Sequence, residues 1–310
     1  MKPIYIFGHK NPDTDTILSS LVLEAIERTM GTYNAKAYRL GNINKETQFV
    51  LDYFDVRTPE LLEEVNEGDE VMLVDHNEFG QSVKGIEKAK ILRVVDHHKI
   101  ANFETREPLF FISMPVGSTS TVLVEMCESS NIPIDRTTAG LMVSAIISDT
   151  LLLKSPTCTS RDKEVAEKLA KIAGIDINTY GLELLKAGTD LKDYTAEELI
   201  NIDSKPFSRD DLEYQIAQVN TVCIEDVTKN REQIENAIKD FMIENKKDLF
   251  ILLITDILEN NSKIIAIGKQ DLVEKAFDVK LVDNMAFLPG VVSRKKQIIP
   301  KIESVLKSEE

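Results

Sequence analysis

The chain contains no tryptophan and only three cysteines, Cys127, Cys158 and Cys223. Three widely spaced thiols give no disulfide framework and lack the paired spacing of a thiolate metal site. None has a histidine partner suited to nucleophilic catalysis, and their scarcity fits a reducing compartment, so the expected location is cytoplasmic. Long hydrophobic runs are also missing: none reaches the roughly 20 residues that a membrane-spanning helix requires. The longest, 249–258, is interrupted by Asp256 and reads as a buried strand. The first residues enter a strand pattern directly, without the basic-then-apolar pattern of a secretory leader, and no membrane association is expected. Positive charge is in short supply, with 37 Lys and Arg against 52 Asp and Glu and a formal net charge of −15. So acidic a chain repels polyanions at long range, and nucleic acid is not an expected partner. A small anionic substrate must then find positive charge made locally, and bound cations are the direct source. There is no Walker loop, no G-x-G-x-x-G, no internal repeat and no low-complexity tract.

What is present is an α/β pattern in a chain of 310 residues, long enough for two domains. Strand patterns at 4–7, 35–40, 70–74 and 91–95 alternate with helical patterns at 16–30, 45–54 and 83–88. This βαβ alternation predicts an N-terminal, mainly parallel sheet flanked by helices. Helical patterns continue at 118–129, 136–152, 161–173 and 177–187, the last stopping at Gly188. A short polar stretch follows, which places a first domain at 1–188, a hinge at 189–194 and a smaller α/β domain of mixed sheet at 195–310. That second part reads as a short helix (196–200), a strand (214–223) and a helix (229–245). A hairpin of 249–257 with 263–267 turns around Asn260-Asn261. A helix at 272–277, the Pro289-Gly290 turn and a terminal helix complete it.

All four histidines fall in three strand-end loops, and each has aspartate neighbours: His9 with Asp13 and Asp15, His76 with Asp75, His97 and His98 with Asp96. In a parallel sheet those strand ends share one edge, so the loops can meet. The alternatives are polar loops that cap helices and a common metal site, and the selection of three strand ends favours the metal. Imidazole and carboxylate without thiolate suit Mn²⁺, Mg²⁺, Co²⁺ or Fe²⁺. Four or five carboxylates exceed the charge of one ion. Two ions roughly 3.5–4 Å apart balance it and favour hydrolysis at phosphorus. Asp149, near the end of an apolar helix, is an isolated carboxylate that needs a partner. A second, basic cluster comprises Arg294, Lys295 and Lys296, with Lys205 upstream; it is either a solvated basic face or an anion clamp. Ser118-Thr119-Ser120-Thr121 after Gly117 is either a phosphate cradle or an ordinary helix cap. Asn77 and Glu78 beside His76 are either supporting partners of the site or plain loop residues.

Taken together, Gly8-His9-Lys10-Asn11-Pro12-Asp13-Thr14-Asp15, Val74-Asp75-His76-Asn77, Asp96-His97-His98, Ser148-Asp149-Thr150 and Ser293-Arg294-Lys295-Lys296-Gln297 resemble a family. It is the family II, manganese-dependent inorganic pyrophosphatases of the DHH phosphoesterases. The resemblance covers the whole chain in motif order and length. It implies that His9 and Asp13 hold one Mn²⁺, that Asp15 and His97 complete a second site, and that Asp75 and Asp149 bridge the two. Co²⁺ or Mg²⁺ are expected substitutes, and a further Mg²⁺ is expected with the substrate. His98, Lys205, Arg294 and Lys295 are implied phosphate contacts and, with Asp75, the catalytic set. Asp96 and His76 are implied to act beside the ligands, His76 as a near-site donor. The implied reaction is hydrolysis of pyrophosphate to two orthophosphates by a metal-bridging hydroxide. A DHHA2-type C-terminal domain would supply the basic clamp, and the two domains would close on substrate. A homodimer through the N-terminal domain is also implied. The other readings are a DHH exopolyphosphatase or short-oligonucleotide phosphodiesterase, and a metal-dependent binding protein without catalysis.

Overall fold

A computed structural model describes residues 2–192, 194–209 and 212–308. Asp193, inside the expected 189–194 hinge, lies outside the described residues. The chain forms two compact units, Met1–Gly188 and Thr189–Glu310.

The first unit contains β1 (Ile4–Phe7), α1 (Thr14–Met30), β2 (Ala35–Arg39), α2 (Lys45–Tyr53), β3 (Glu60–Leu61), β4 (Glu70–Val74), β5 (Lys90–Asp96) and β6 (Phe110–Ser113). Four helices follow, α3 (Thr119–Ser129), α4 (Arg136–Asp149), α5 (Ser160–Ala173) and α6 (Ile177–Gly188). The six strands form one sheet in the order β3-β2-β1-β4-β5-β6, every pairing parallel. Strand order reverses between β1 and β4, and such a reversal opens a crevice at the carboxyl ends of the strands. Both faces are covered, so the central strands are apolar throughout: Ile6, Phe7 and all of Val71, Met72, Leu73 and Val74 are buried. Helix α1 starts at Asp13, whose carboxylate accepts the Thr16 N–H, and stops at Gly31 in the left-handed conformation.

Three expectations for this unit need correction. Helix α4 ends at Asp149, not at 152, because Leu151, Leu152 and Leu153 all have positive φ (47°, 56° and 62°). Apolar periodicity does not register a change of backbone hand. Residues 83–88 form only a 3₁₀ turn at Ile86–Lys88, since Gly85 before it has φ +88°. Strands β3 and β6 went unforeseen, one only two residues long and the other half-exposed.

The second unit contains α7 (Ala196–Leu199), β7 (Ser204–Arg209), β8 (Leu212–Thr221), α8 (Ile224–Thr228), α9 (Arg231–Glu244), β9 (Leu249–Asp256), β10 (Asn261–Gly268), α10 (Gln270–Phe277) and β11 (Met285–Leu288). A π-turn, Arg294–Ile298, leads into α11 (Ile299–Ser308). The sheet order is β11-β10-β9-β8-β7. Only β8 with β9 is parallel; the other pairings are antiparallel, so the sheet is mixed. β9 is buried from Leu249 to Ile254 between two apolar clusters, one on each face. The β9–β10 hairpin turns at Asn260, whose φ of +54° suits asparagine. β7 carries Pro206, which a sheet tolerates at an edge, and that proline hid the strand from a pattern reading. Among the described residues no helix is long and apolar enough to cross a membrane.

Candidate metal centre

Adjacent strands deliver the functional loops. β1 runs into Gly8-His9, β4 into Asp75-His76, and β5 ends at Asp96 before His97-His98. Because β4 lies between β1 and β5, all three loops share the edge where strand order reverses. Gly8 is required there: a Cβ would lie 2.4 Å from the Thr16 methyl carbon. Thr16 is fixed in place, since its hydroxyl donates to Asp75 Oδ2 at 2.5 Å. Asp75 itself has φ +59°, a conformation that costs about 1–3 kcal/mol and that persists where the surroundings enforce it. Asp149 arrives from a fourth segment, as the last residue of α4.

The side chains gather into overlapping groups. His9, Asp13 and Asp75 form one, and Asp15, Asp75, His97 and Asp149 another, each with donor atoms within 4.8 Å of one another. Asp75 belongs to both. Its Oδ2 is 3.5 Å from His9 Nε2 and its Oδ1 is 3.4 Å from His97 Nε2. His9 Nε2 lies 3.4 Å from Asp13 Oδ2, while His97 Nε2 lies 3.6 Å from Asp149 Oδ2 and 4.0 Å from Asp15 Oδ2. Asp149 keeps company with Asp15 and His97; among the described residues its group does not include His9 or Asp13. His98 joins Asp75 and His97 in a third group, with its Nδ1 hydrogen-bonded to Asp96 Oδ1 at 3.0 Å. Asp96 is fully buried and in none of the groups. Its Oδ1 also accepts the backbone N–H groups of His97 and His98, so it shapes the turn that aims them.

The electrostatics are those of a carboxylate cluster short of positive charge. Burial, then the charge of Asp75, pushes Asp15 upward. Burial pushes Asp149 well up, and the charges of Asp15, Asp75 and Asp13 add to it. Burial would raise Asp75 too, but the His97 hydrogen bond and charge hold it below the usual carboxylate range. Burial lowers His97, yet Asp75 and Asp15 outweigh that and its pKa rises to about 9. A proton on His97 thus does part of the work of a cation.

The donor set fits a metal ion. Val116 O can only accept, so the 3.0 Å contact with His97 Nδ1 places the proton there. His97 Nε2, buried among the carboxylates, is then the nitrogen that carries the extra proton in the metal-free protein and that faces a cation once this proton leaves. Metal-ligating histidines are held in this way. Imidazole and carboxylate without thiolate suit Mn²⁺ and related hard or borderline ions. His76 is likewise pinned through Nδ1 to Val74 O at 2.9 Å, and burial holds its pKa down. Its Nε2 has no hydrogen-bond partner among the described residues.

Sequence reasoning left Asn77 and the Ser118-Thr119-Ser120-Thr121 run open and missed Thr16 and Asp162 among the residues that orient the ligands. Ser118 caps α3, and its hydroxyl donates to Asp15 Oδ1 at 3.0 Å. Thr119 donates its N–H to Asp15 Oδ2 at 2.7 Å and its hydroxyl to Asp75 Oδ1 at 2.9 Å. The Ser-Thr run thus serves the carboxylates. Behind it, the buried Asp162 accepts the Gly117 N–H at 2.9 Å and the Thr121 hydroxyl at 2.6 Å. Asn77 ties the β4 loop to the β5 loop, donating to Asp96 Oδ2 at 2.7 Å and accepting the Ala101 N–H at 2.9 Å. A Ser or Thr at a helix start looks like a cap whether or not it has this second duty.

In the second unit, Lys205 lies exposed on β7, and Lys295 and Lys296 are exposed in the π-turn. Arg294 is buried. Its guanidinium donates to Asp203 Oδ1 at 2.8 Å, to Asp203 O at 2.5 Å and to Ile216 O at 3.3 Å. Gln297 accepts the N–H groups of Val292 and Ser293 and donates to Gly290 O, folding the loop before Arg294 back on itself.

Comparison with known proteins agrees with this geometry. Residues 3–146 match the DHH family, N-terminal domain, and residues 182–305 match the DHHA2 domain. The manganese-dependent inorganic pyrophosphatase of Bacillus subtilis is 52% identical over 308 residues, 99% of each chain. The chain belongs to the family II, manganese-dependent inorganic pyrophosphatases. A probable member of the family from Staphylococcus epidermidis is 51% identical over 307 residues, again 99% of each chain. The crystal structure of a putative family II inorganic pyrophosphatase from Methanococcus jannaschii is similar at 41% identity and a TM-score of 0.63. That match covers 98% of this chain and 99% of the other. An exopolyphosphatase-related protein from Bacteroides fragilis shares the fold alone, at 14% identity and a TM-score of 0.51, with 99% of this chain and 92% of the other covered.

Proposed function

We propose that the protein hydrolyses pyrophosphate to two orthophosphates at a centre of two Mn²⁺ ions, with Co²⁺ or Mg²⁺ as substitutes. The observation that carries this reading is Asp75, which offers one carboxylate oxygen to the His9 group and the other to the His97 group. His9, Asp13 and Asp75 would hold one ion, and Asp15, Asp75, His97 and Asp149 the other. When bound, two such ions make a nucleophile from water near neutral pH and offset charge on phosphoryl oxygens.

The protein's own residues do the rest. Thr16, Thr119 and Ser118 keep the carboxylates aimed, and Asp96 fixes His97 and His98. Asp13, Asp15, Asp75 and Asp149 carry four negative charges, which two divalent cations cancel. The substrate's charge is then left to a further Mg²⁺ and to His98, Lys205, Arg294 and Lys295, which contact the phosphates and stabilise the charge of the transition state. In this reading 1–188 is the metal-binding part, 189–194 a hinge and 195–310 the substrate-binding part. The three guanidinium bonds of Arg294 to Asp203 and Ile216 leave further N–H donors for phosphate. The protein is cytoplasmic and works as a homodimer through the first unit. The outer edge of β6, where Phe110 is 48% exposed, supports that placement.

Phosphate release from pyrophosphate, tripolyphosphate and a dinucleotide, each with Mn²⁺, tests the assignment. Fastest release from pyrophosphate is expected. Preference for tripolyphosphate or the dinucleotide would move the activity to another DHH-type reaction, and no release from any would leave only metal binding.

A further inference from the structure

Glu46, near the start of α2, belongs to none of the donor groups among the described residues, yet it touches the chain on both sides of them. Its Oε1 accepts the Thr14 hydroxyl at 2.8 Å and also the Ser148 hydroxyl. Thr14 stands between Asp13 and Asp15, which fall in different donor groups, and Ser148 immediately precedes Asp149. One carboxylate oxygen therefore joins the start of α1 to the end of α4, at the two places where ligands leave those helices.

Physical chemistry gives this tie a purpose. Asp15 and Asp149 converge in a poorly solvated site, so without a cation their ionised forms would repel and drive the two helix ends apart. Glu46 is held where it can resist that. The α2 cap Asn44 accepts the Thr47 N–H at 2.7 Å, and the Thr47 hydroxyl lies 3.2 Å from that of Thr14. On its far side, Glu46 packs against Gly188 so tightly that a Cβ there would lie 2.5 Å from Oε2.

We infer that Glu46 is a positioning residue of the metal centre, holding Asp15 and Asp149 at the spacing a shared cation needs. The inference rests on the two-cation reading given above. Its test is Mn²⁺ titration, followed by the electron paramagnetic resonance of free Mn²⁺, on the full-length wild type, Glu46→Gln, Glu46→Ala and Ser148→Ala. Melting temperatures of the metal-free proteins are taken alongside. Glu46→Ala should weaken Mn²⁺ binding by about tenfold or more, the usual loss when a ligand's supporting partner is removed. Glu46→Gln, which can still accept both hydroxyls, should stay close to wild type. Ser148→Ala should weaken binding less than Glu46→Ala, and combining the two should add little. Wild-type Mn²⁺ affinity in Glu46→Ala, even with a lowered melting temperature, would reduce Glu46 to a structural role and overturn the inference. So would a Glu46→Gln protein as weak as Glu46→Ala, because charge rather than positioning would then be at work. If Glu46→Ala does not fold, Ser148→Ala decides, and unchanged affinity overturns the inference. A wild type that takes up no Mn²⁺ would instead defeat the two-cation reading itself.

Discussion

Asp149 shows how a single residue trades stability for function. It is the last residue of α4, and its side chain keeps 20% of its exposure. Burial and three neighbouring aspartates oppose its ionisation. Asp149→Asn keeps the shape and removes the charge, so the metal-free protein should melt at a higher temperature. Uptake of the second Mn²⁺ and pyrophosphatase activity should fall by orders of magnitude. Normal turnover in that variant would remove Asp149 from the ligand set. His97 makes a related prediction for pH. Its pKa in the fold, about 9, exceeds the ordinary 6.5, so the fold binds this proton more tightly than the unfolded chain does. The resulting stability is complete below pH 6.5 and is lost as pH rises through about 9. The raised Asp15 acts in the same direction, while the lowered carboxylates are already ionised in this window. Melting temperatures of metal-free protein should therefore fall from pH 6.5 to 9. Protein loaded with Mn²⁺ should fall less, because the cation replaces the proton. A metal-free melting temperature that rises over that range would contradict the charge balance described for the cluster.

At the scale of elements, the strand-end loops were legible in the sequence and most of their supports were not. His9, Asp75 and His97 stand out because four histidines in 310 residues all follow short apolar runs. Strand alternation then places those runs in one parallel sheet. Thr16, Thr119 and Asp162 give no such signal, since each sits where a helix cap or first-turn residue is expected. The reversal of hand at Leu151, Leu152 and Leu153 is invisible for a different reason: leucine has no preference for positive φ, so only tertiary context selects it. β7 hid behind Pro206, and β6 behind its exposure. The basic segment was legible as charge, but not the burial of Arg294 against Asp203 or the folding of its loop by Gln297. Gln297→Ala should loosen that loop and raise KM for pyrophosphate several-fold, with Mn²⁺ affinity unchanged because the ligands lie in the other unit. A fall in Mn²⁺ affinity would contradict this division of labour.

For the whole molecule, the net charge of −15 and the function fit together only through cations. A substrate that is itself a small polyanion approaches an acidic protein, so positive charge must be concentrated where it binds. Six ligand residues in the first unit and a basic cluster in the second divide that task in the proposed mechanism. In the proposed reading the exposed edge of β6 is where two copies meet. Light scattering on the eluting protein should report twice the chain mass, and the chain mass alone would remove the homodimer. The central claim is that Asp75 is shared between two ions. Its most direct test is an anomalous difference map, recorded at the manganese edge, from crystals grown with Mn²⁺. Two peaks about 3.5–4 Å apart, one toward each oxygen of the Asp75 carboxylate, are predicted. A single peak, or two peaks of which only one lies at Asp75, would contradict it.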